Sequence, residues 1–185
     1  MNDILHFLQN RNSAPKLTGP APAGEDLEQI FRAALRAPDH AWLRPWRFLT
    51  ISGIRREALG KVLRDALLRR NPEAGDAACN KALNAPRRAP LVVVVIAHFS
   101  EHPKVPRLEQ QLSAGCAAHA ILLAAEATGF AGVWRAGESA FDRGVMTDLG
   151  LGVEEEIVGF LYLGSRDGAP KPLPQLETDD FVRSW

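Results

Sequence analysis

Two side chains that could bind a metal ion lie close together in the sequence. Cys116 and His119 are three residues apart, so they share one face of a helix. A structural zinc ion needs four ligands, and His98 and His102 could complete the set only if the fold brought them near. The residues around Cys116 and His119 are small or apolar, and free cysteine is among the most buried residue types. The sequence therefore favours a core cysteine and a hydrogen-bonded histidine, and it predicts no metal site.

Gly129 and Gly132 are the nearest approach to a phosphate-binding loop. Such a loop leads from a strand into a helix, whose N-terminal N–H groups then face the anion. Here the order is reversed, since the glycines follow a helical pattern and precede a predicted strand. Gly129 is therefore typical of a helix C-cap. The sequence also has no recognisable Ser-His-Asp arrangement and no glycine-flanked nucleophile.

Four short polar or aromatic segments remain, each next to the end of a predicted element. They are Arg11-Asn12-Ser13, Arg36-Ala37-Pro38-Asp39-His40, Pro45-Trp46-Arg47-Phe48 and Trp134-Arg135-Ala136-Gly137. An arginine at a helix end commonly complements the helix dipole, which alone would account for Arg36. Trp46 and Trp134, taken singly, are typical of core aromatics.

Apolar periodicity predicts the elements that must position these segments. Helices are predicted from the cap Asn2 to about Arg11, from Glu25 to before Pro38, and at Arg55–Arg70, Glu73–Asn84, Arg107–Thr128 and Phe141–Leu149. Strands are predicted at Trp46–Ser52, Leu91–Ala97, Gly132–Arg135 and Glu156–Gly164. Strands separated by helices indicate an α+β fold with a central sheet between helices. The strand Leu91–Ala97 is apolar without alternation, so both of its faces should be covered.

The longest predicted helix and the C-terminal tail both carry apolar groups that need a partner surface. From Ser113 to Ala127 the helix is small or apolar on every side, which predicts burial all round, either at the domain centre or in a dimer interface. The tail Ser165–Trp185 contains three prolines but ends in Phe181, Val182 and Trp185. We expect this tail to pack on a second subunit.

Length and composition set broad limits. The 185 residues fit a single domain, 1–185, with a substantial core. The formal net charge of zero argues against nucleic acid as a partner. Cys79 and Cys116 are too few for a disulfide framework. No secretory signal is visible and the longest apolar run, Ala89–Ala97, is too short to span a bilayer, so we expect a cytoplasmic protein.

In their order along the chain, the short segments resemble the nitroreductase family of flavoproteins, in particular its small single-domain YdjA-like branch. The resemblance runs nearly end to end. It includes Asn10–Ser13, Arg36–His40, Pro45-Trp46, Ala89–Val92, Lys104–Arg107, Ser113–Ala117, Gly132–Arg135 and Ile157–Gly164.

The resemblance implies the nitroreductase fold, with a mixed or antiparallel sheet, a long central helix and an intertwined homodimer that holds one FMN in each of two interface pockets. It implies that Arg11, Asn12 and Ser13 lie at the phosphate and ribityl end. Arg36 and His40 would reach the FMN of the second subunit, and Trp134, Arg135 and Ala136 would lie along the isoalloxazine. A nicotinamide contact is implied for the segment Ala124, Ala125, Glu126, Ala127, Thr128 and Gly129, although Glu126 could instead be paired or solvated.

Three departures from the family pattern bear on flavin binding. Asn12 stands where a second arginine is common. Trp42 and Arg44 replace the asparagine and glutamine that precede the Pro-Trp pair in larger members, which could alter redox potential or substrate choice. The basic motif after the last strand is represented at best by Lys171.

The activity that the resemblance implies is a two-step reaction at one pocket. NAD(P)H reduces the flavin, and the reduced flavin then reduces an electron-poor acceptor such as a nitroaromatic or a quinone. Because the cofactor carries this chemistry, no catalytic side chain is expected. Arg135 near the ring could stabilise the reduced flavin or form a structural ion pair. Two alternatives remain open: a reductase or dehydrogenase for a dedicated metabolite, and a flavin-storing module without turnover.

Overall fold

Helices and strands alternate along most of the chain. The computed structural model describes residues 3–185, so the predicted cap Asn2 lies outside the described residues. The α-helices are α1 (Asp3–Gln9), α2 (Gly24–Ala34), α3 (Arg55–Arg70), α4 (Asp76–Asn84), α5 (Arg107–Ala127), α6 (Glu138–Phe141) and α7 (Arg143–Asp148). The strands are β1 (Leu17–Thr18), β2 (Trp46–Ser52), β3 (Leu91–His98), β4 (Ala131–Arg135) and β5 (Glu155–Arg166).

The five strands form one sheet in which every pair is antiparallel. β3 lies between β2 and β5, and the long strand β5 also pairs with β4 and, at its end, with β1. The predicted α+β fold is confirmed. β1 was not predicted, because only two residues between Pro15 and Pro20 pair with the end of β5, Leu17 opposite Arg166.

The sheet is covered on both faces, as the unbroken apolar pattern of β3 predicts. Leu91, Val93 and Val95 pack in one cluster with α2 and α5. Val92 and Val94 point the other way, into a cluster with side chains of α3 and α7. Successive strand residues face opposite sides of a sheet, so β3 supplies apolar groups to both clusters.

α5 buries only one of its faces in the single chain. Ala114, Ala117, Ile121 and Ala125 on that face are fully buried against the sheet. The opposite side carries exposed side chains, with Leu108 at 65% and Leu112 at 60% exposure, and Cys116 and His119 are also exposed. Burial on every side and a core position for Cys116 are therefore wrong for the single chain.

Two further helix predictions differ from the structure. α4 begins at Asp76 rather than Glu73, after Gly75 in an extended conformation. The helix predicted at 141–149 is found as α7, which begins two residues later, and the short helix α6 before it was not predicted. The two helices meet at Asp142, whose carboxylate accepts a hydrogen bond from the Val145 amide at 3.1 Å. Burial raises the pKa of Asp142, but hydrogen bonds from Val145 and Arg70 and the charge of Arg70 outweigh it and leave that pKa below its ordinary value.

The chain after β5 has little regular structure and exposes apolar side chains. A single short 3₁₀ turn spans Thr178–Asp180. Leu176, Phe181, Val182 and Trp185 are all mostly exposed. β5 itself continues to Arg166, so the first two residues of the predicted tail belong to the sheet. No helix within residues 3–185 is long and apolar enough to cross a membrane.

Candidate functional site

The loop Arg11–Ser13 follows α1 and lies beside the edge of the sheet. The guanidinium of Arg11 donates a hydrogen bond to the Ser13 hydroxyl at 3.3 Å, and both side chains are half-buried. Next to them, the Ala14 amide donates to the Gly132 carbonyl of β4 at 2.9 Å. The Ala14–Gly132 hydrogen bond places the loop beside β4, at the edge of the sheet. The Arg11 guanidinium and the Ser13 hydroxyl together are a suitable donor set for a phosphate.

Arg166, at the end of β5, joins this loop and was missed in the sequence. Its guanidinium donates to the Asn12 carbonyl at 3.0 Å, and its side chain is only 20% exposed. Lys171, the residue singled out from the sequence, instead accepts a hydrogen bond at its backbone carbonyl from the Asn12 side chain at 2.6 Å. Arg166 follows the apolar run Ile157–Gly164 with only Ser165 between them, and a basic residue at this position is the sequence signal for it.

The segment 124–129 forms the C-terminal end of α5. Gly129 has a φ of 85°, its amide donates to the Glu126 carbonyl, and the Phe130 amide donates to the Ala125 carbonyl at 2.8 Å. This is a Schellman motif, so the predicted C-cap role of Gly129 is confirmed. The Thr128 hydroxyl donates to the Ala124 carbonyl at 2.9 Å.

Glu126 is a paired carboxylate. Its Oε1 lies 3.6 Å from the guanidinium of Arg166, and both side chains are mostly buried, at 29% and 20% exposure. The pairing alternative raised from the sequence is therefore confirmed for Glu126. The nicotinamide contact of the segment stays a prediction.

Trp134 lies over a glycine of the neighbouring strand. A Cβ on Gly159 of β5 would come within 2.1 Å of the indole nitrogen, so only glycine leaves room for this ring. The far edge of the indole reaches toward Gly115 of α5, where a Cβ would lie 4.0 Å away. Trp134 remains 37% exposed. It is therefore an aromatic fixed in position at the end of β4 with one side open, unlike Trp46, which is a core residue at 5% exposure.

Arg135 points to the opposite face of the sheet from Trp134. Its guanidinium carbon lies 5.6 Å from the centre of the Tyr162 ring, a cation–π contact. Burial raises the pKa of Tyr162, and the charges of Arg135 and Arg88 offset only part of this effect. The Nε of Arg135 is buried and has no hydrogen-bond partner among the described residues, and no ion pair within residues 3–185 involves its side chain. The structural ion pair considered from the sequence is therefore not formed between residues 3 and 185 of the single chain.

Arg36 and His40 lie outside the cluster around Arg11. Both side chains are exposed, and neither forms a hydrogen bond or an ion pair with the Arg11–Ser13 loop or with β4 in the described part of the chain. His40 Nδ1 is 2.8 Å from a carboxylate oxygen of Glu109, on the first turns of α5. Because a carboxylate accepts, Nδ1 carries the proton and Nε2 faces away from Glu109.

A small cavity of about 320 Å³ opens beside Arg36. Its lining includes Arg36, Asp39, Trp42, Arg44 and Trp46. Ala41, Trp42 and Arg44 have φ values of 59°, 57° and 50°. Positive φ is unfavourable for residues other than glycine. Residues 41–44 contain three such residues and therefore have the most strained backbone among the described residues.

Comparisons with known proteins agree on one family. Residues 8–165 match the model of the nitroreductase family. An Escherichia coli K12 protein named "Putative NAD(P)H nitroreductase YdjA" is 47% identical over 163 residues, which make up 88% of each chain.

Solved structures of the same fold cover the whole chain. A nitroreductase-like family protein from Bacillus cereus has a TM-score of 0.81 at 23% identity, covering 100% of this chain and 97% of its own. A "putative nitroreductase" from Desulfovibrio desulfuricans, solved in complex with FMN, has a TM-score of 0.77 at 18% identity, covering 100% and 98%. At such identities these structures establish the fold alone.

Proposed function

The chain belongs to the nitroreductase family, and from this premise we propose that it is an FMN-dependent oxidoreductase that uses NAD(P)H to reduce nitroaromatic or quinone-like acceptors. The E. coli relative is named for NAD(P)H, and the D. desulfuricans protein of the same fold was solved with FMN. Each name describes that relative. The residues of this chain supply the independent support.

The observation that carries the proposal is the cluster of phosphate donors. Arg11, Ser13 and Arg166 bring two guanidinium groups and a hydroxyl to one loop at the edge of the sheet. An FMN phosphate needs such charged donors, because a charge-assisted hydrogen bond is about twice as strong as a neutral one. Glu126 neutralises part of the charge of Arg166 and orients it. The donor set therefore fits the phosphate of FMN.

The end of β4 fits the flavin ring. Trp134 presents an indole that is open on one side, and Ala136 beyond it is exposed. Arg135 has a buried Nε without a partner among the described residues, but its side chain faces the other side of the sheet, so Trp134 and Ala136 carry this part of the proposal. When bound, FMN would supply the redox chemistry, taking a hydride from NAD(P)H at N5 and passing electrons to the acceptor. The two substrates would use the same pocket in turn, so the donor leaves before the acceptor enters.

We propose that two copies of the chain, each a single domain, complete the site. The exposed side of α5, α1 and the tail each present apolar side chains to solvent, among them Leu112, Leu5 and Phe181. Exposed large apolar side chains on several elements support a surface that a second copy covers. Arg36 and His40 are exposed and stand apart from the Arg11 cluster, as residues that act on the cofactor of a second copy would. The tail would pack on that copy.

The visible spectrum of the purified protein tests the proposal directly. We expect a yellow protein that releases FMN on denaturation, bleaches with NADH or NADPH under anaerobic conditions, and regains colour when a nitroaromatic or quinone is added. A colourless protein that takes up no added FMN would overturn the proposal. Bound FMN that reduced nicotinamides cannot bleach would identify a flavin-binding module instead of an enzyme.

A further inference from the structure

The segment between Pro38 and Pro45, here called the Trp42 loop (residues 39–44), holds an unfavourable backbone conformation. Ala41, Trp42 and Arg44 all have φ between 50° and 59°. This region crowds a Cβ against the backbone and is populated mainly by glycine, asparagine and aspartate. Strain of this kind persists only where the surrounding structure enforces it, and it concentrates at binding sites.

Several hydrogen bonds enforce the conformation. The Asp39 carboxylate accepts from the Arg44 amide at 2.7 Å. The Arg47 guanidinium donates to the Arg44 carbonyl at 3.1 Å and to the Trp46 carbonyl at 2.7 Å. The Pro45 carbonyl accepts from the His98 amide at 3.0 Å, which ties the end of the loop to the sheet. These hydrogen bonds tie the C-terminal end of the Trp42 loop to Asp39, Arg47 and the sheet.

The loop presents an aromatic ring and a cation to solvent. Trp42 is 79% exposed, a costly position for the largest apolar side chain. The guanidinium of Arg44 has no hydrogen bond or ion pair among residues 3–185, and the same holds for Arg36 across the cavity. Asp39 is the only acidic residue of the lining, and one of its oxygens is occupied by the Arg44 amide. The cavity therefore carries a net positive charge beside an exposed indole.

We propose that the Trp42 loop selects the electron acceptor, and that it favours an aromatic ring bearing a carboxylate. The Trp42 indole would stack on the ring and the Arg44 guanidinium would pair with the carboxylate. This inference rests on the proposed function, because it concerns the acceptor of that reaction. The proposed phosphate donors Arg11, Ser13 and Arg166 do not line the cavity beside Trp42 and Arg44. Arg36 lines the same cavity, so an Arg36 that reaches the FMN of the other copy would put this cavity beside the flavin.

Two acceptors that differ only in charge test the proposal. The FMN-loaded protein is assayed with 4-nitrobenzoate and with 4-nitrobenzamide, for wild type, Arg44→Gln, Trp42→Ala and Trp42→Phe. We expect Arg44→Gln to lower kcat/KM for 4-nitrobenzoate about tenfold or more, the scale of a lost charged hydrogen bond, and to leave 4-nitrobenzamide nearly unchanged. Trp42→Ala should lower kcat/KM for both acceptors, and Trp42→Phe should restore most of it. Arg32→Gln, the same change at an exposed arginine of α2 that pairs with Glu28, is the matched control.

A binding measurement separates this inference from the proposed function. Benzoate and benzamide are titrated into the protein with and without FMN, and tryptophan fluorescence or heat reports the affinity. Tighter binding of benzoate, lost in Arg44→Gln but kept in Arg32→Gln, supports the loop as an anion-selective site even if NAD(P)H fails to reduce the protein. Equal losses for the charged and neutral compounds would overturn the proposal. A monomeric, FMN-free Trp42→Ala would also overturn it, because Trp42 would then be an interface residue.

Discussion

The Arg11–Ser13 loop and the Trp42 loop are the two halves of the proposed site, and the folded chain treats them differently. Arg11, Ser13 and Arg166 are half-buried or better, and hydrogen bonds within one chain hold them together. Trp42 and Arg36 are exposed, and the guanidinium of Arg36 has no partner among residues 3–185. The half around Arg11 forms within a single folded chain, whereas the half around Trp42 is left open to solvent.

This difference implies that FMN binding and dimerisation are linked. If the second copy completes the exposed half, FMN binds the dimer more tightly than the monomer, and by reciprocity FMN strengthens the dimer. The preformed half, which is the Arg11–Ser13 loop with Arg166, should then control phosphate affinity. The Trp42 loop should control the choice of acceptor, and the exposed side of α5 should control assembly. Each of these expectations can be tested by a variant.

The largest effect is expected from Leu112→Asp on the exposed side of α5. Each copy would bury an unpaired carboxylate in the interface, at a cost of about 3 kcal/mol or more, which weakens the dimer over a hundredfold. Sedimentation velocity should show a monomer, and FMN titration should show weaker binding. Val153→Asp, at another exposed apolar residue, serves as the control. A monomeric Leu112→Asp that kept the FMN affinity of wild type would break the link between the two halves.

Arg11→Ala and Arg166→Ala test the preformed half. Each should weaken FMN binding by about 1.5–3 kcal/mol, the usual contribution of a hydrogen bond to a charged group. Riboflavin lacks the phosphate, so its affinity should stay the same in both variants. Titration of the apoprotein with the two flavins, followed by fluorescence, gives both values. If Lys171→Ala weakened FMN binding and Arg166→Ala did not, the basic residue of this site would be Lys171 after all.

The parts of the fold that local pattern determines could be predicted from the sequence. The unbroken apolar run of β3 and the helical spacing of α3 and α5 locate these elements to within a residue or two. β1 could not be found this way, because two residues become a strand only where the end of β5 lies beside them. α6 could not be found this way either, because its four residues are too few to show a helical period, and its boundary with α7 is set by the side-chain cap of Asp142.

The site was predicted in part, and what was missed has a physical reason. An apolar helix face looks the same in sequence whether it packs on the chain's own core or on a second copy. The sequence therefore left both possibilities open for α5, and the exposure of Cys116 in the single chain was not predicted. Arg166 was missed because strand pairing, and not composition, extends β5 past Gly164. The strain at Trp42 and Arg44 is equally invisible in sequence, since neither residue is one that favours positive φ.

Asp142 lies just beyond Trp134–Ala136 in the chain. Its substitution should change the stability of the protein but not its relative affinity for FMN and riboflavin. Its carboxylate caps α7 and pairs with Arg70, and its side chain is only 10% exposed. Asp142→Ala should destabilise the apoprotein by about 1–2 kcal/mol at pH 7, the upper range for loss of a helix cap. Urea unfolding measures this, and the ratio of FMN to riboflavin affinity should not change.

The lowered pKa of Asp142 determines how its contribution to the free energy of unfolding changes with pH. Because the folded pKa lies below the ordinary value of 3.8, the stabilisation is present above that value and is lost as the pH falls through the lower, folded pKa. The stability difference between wild type and Asp142→Asn should therefore shrink below about pH 4. A difference that stayed constant from pH 7 to pH 3 would show that the Asp142 charge contributes nothing.

The smallest effect is expected where the preformed half meets the tail. The Asn12 side chain donates to the Lys171 carbonyl, and its own carbonyl accepts from Arg166, so one residue connects the phosphate loop to the chain that would pack on the second copy. Asn12→Ala removes one neutral hydrogen bond, worth about 1 kcal/mol. We expect faster cleavage by the protease Glu-C after Glu177, in the exposed tail beyond Lys171, and less protection of that bond by FMN than in wild type. Asn84→Ala, which removes a similar hydrogen bond within α4, should leave the cleavage rate unchanged. If FMN protected the tail equally in Asn12→Ala and wild type, any coupling between the two halves would have to pass through α5 rather than through the tail.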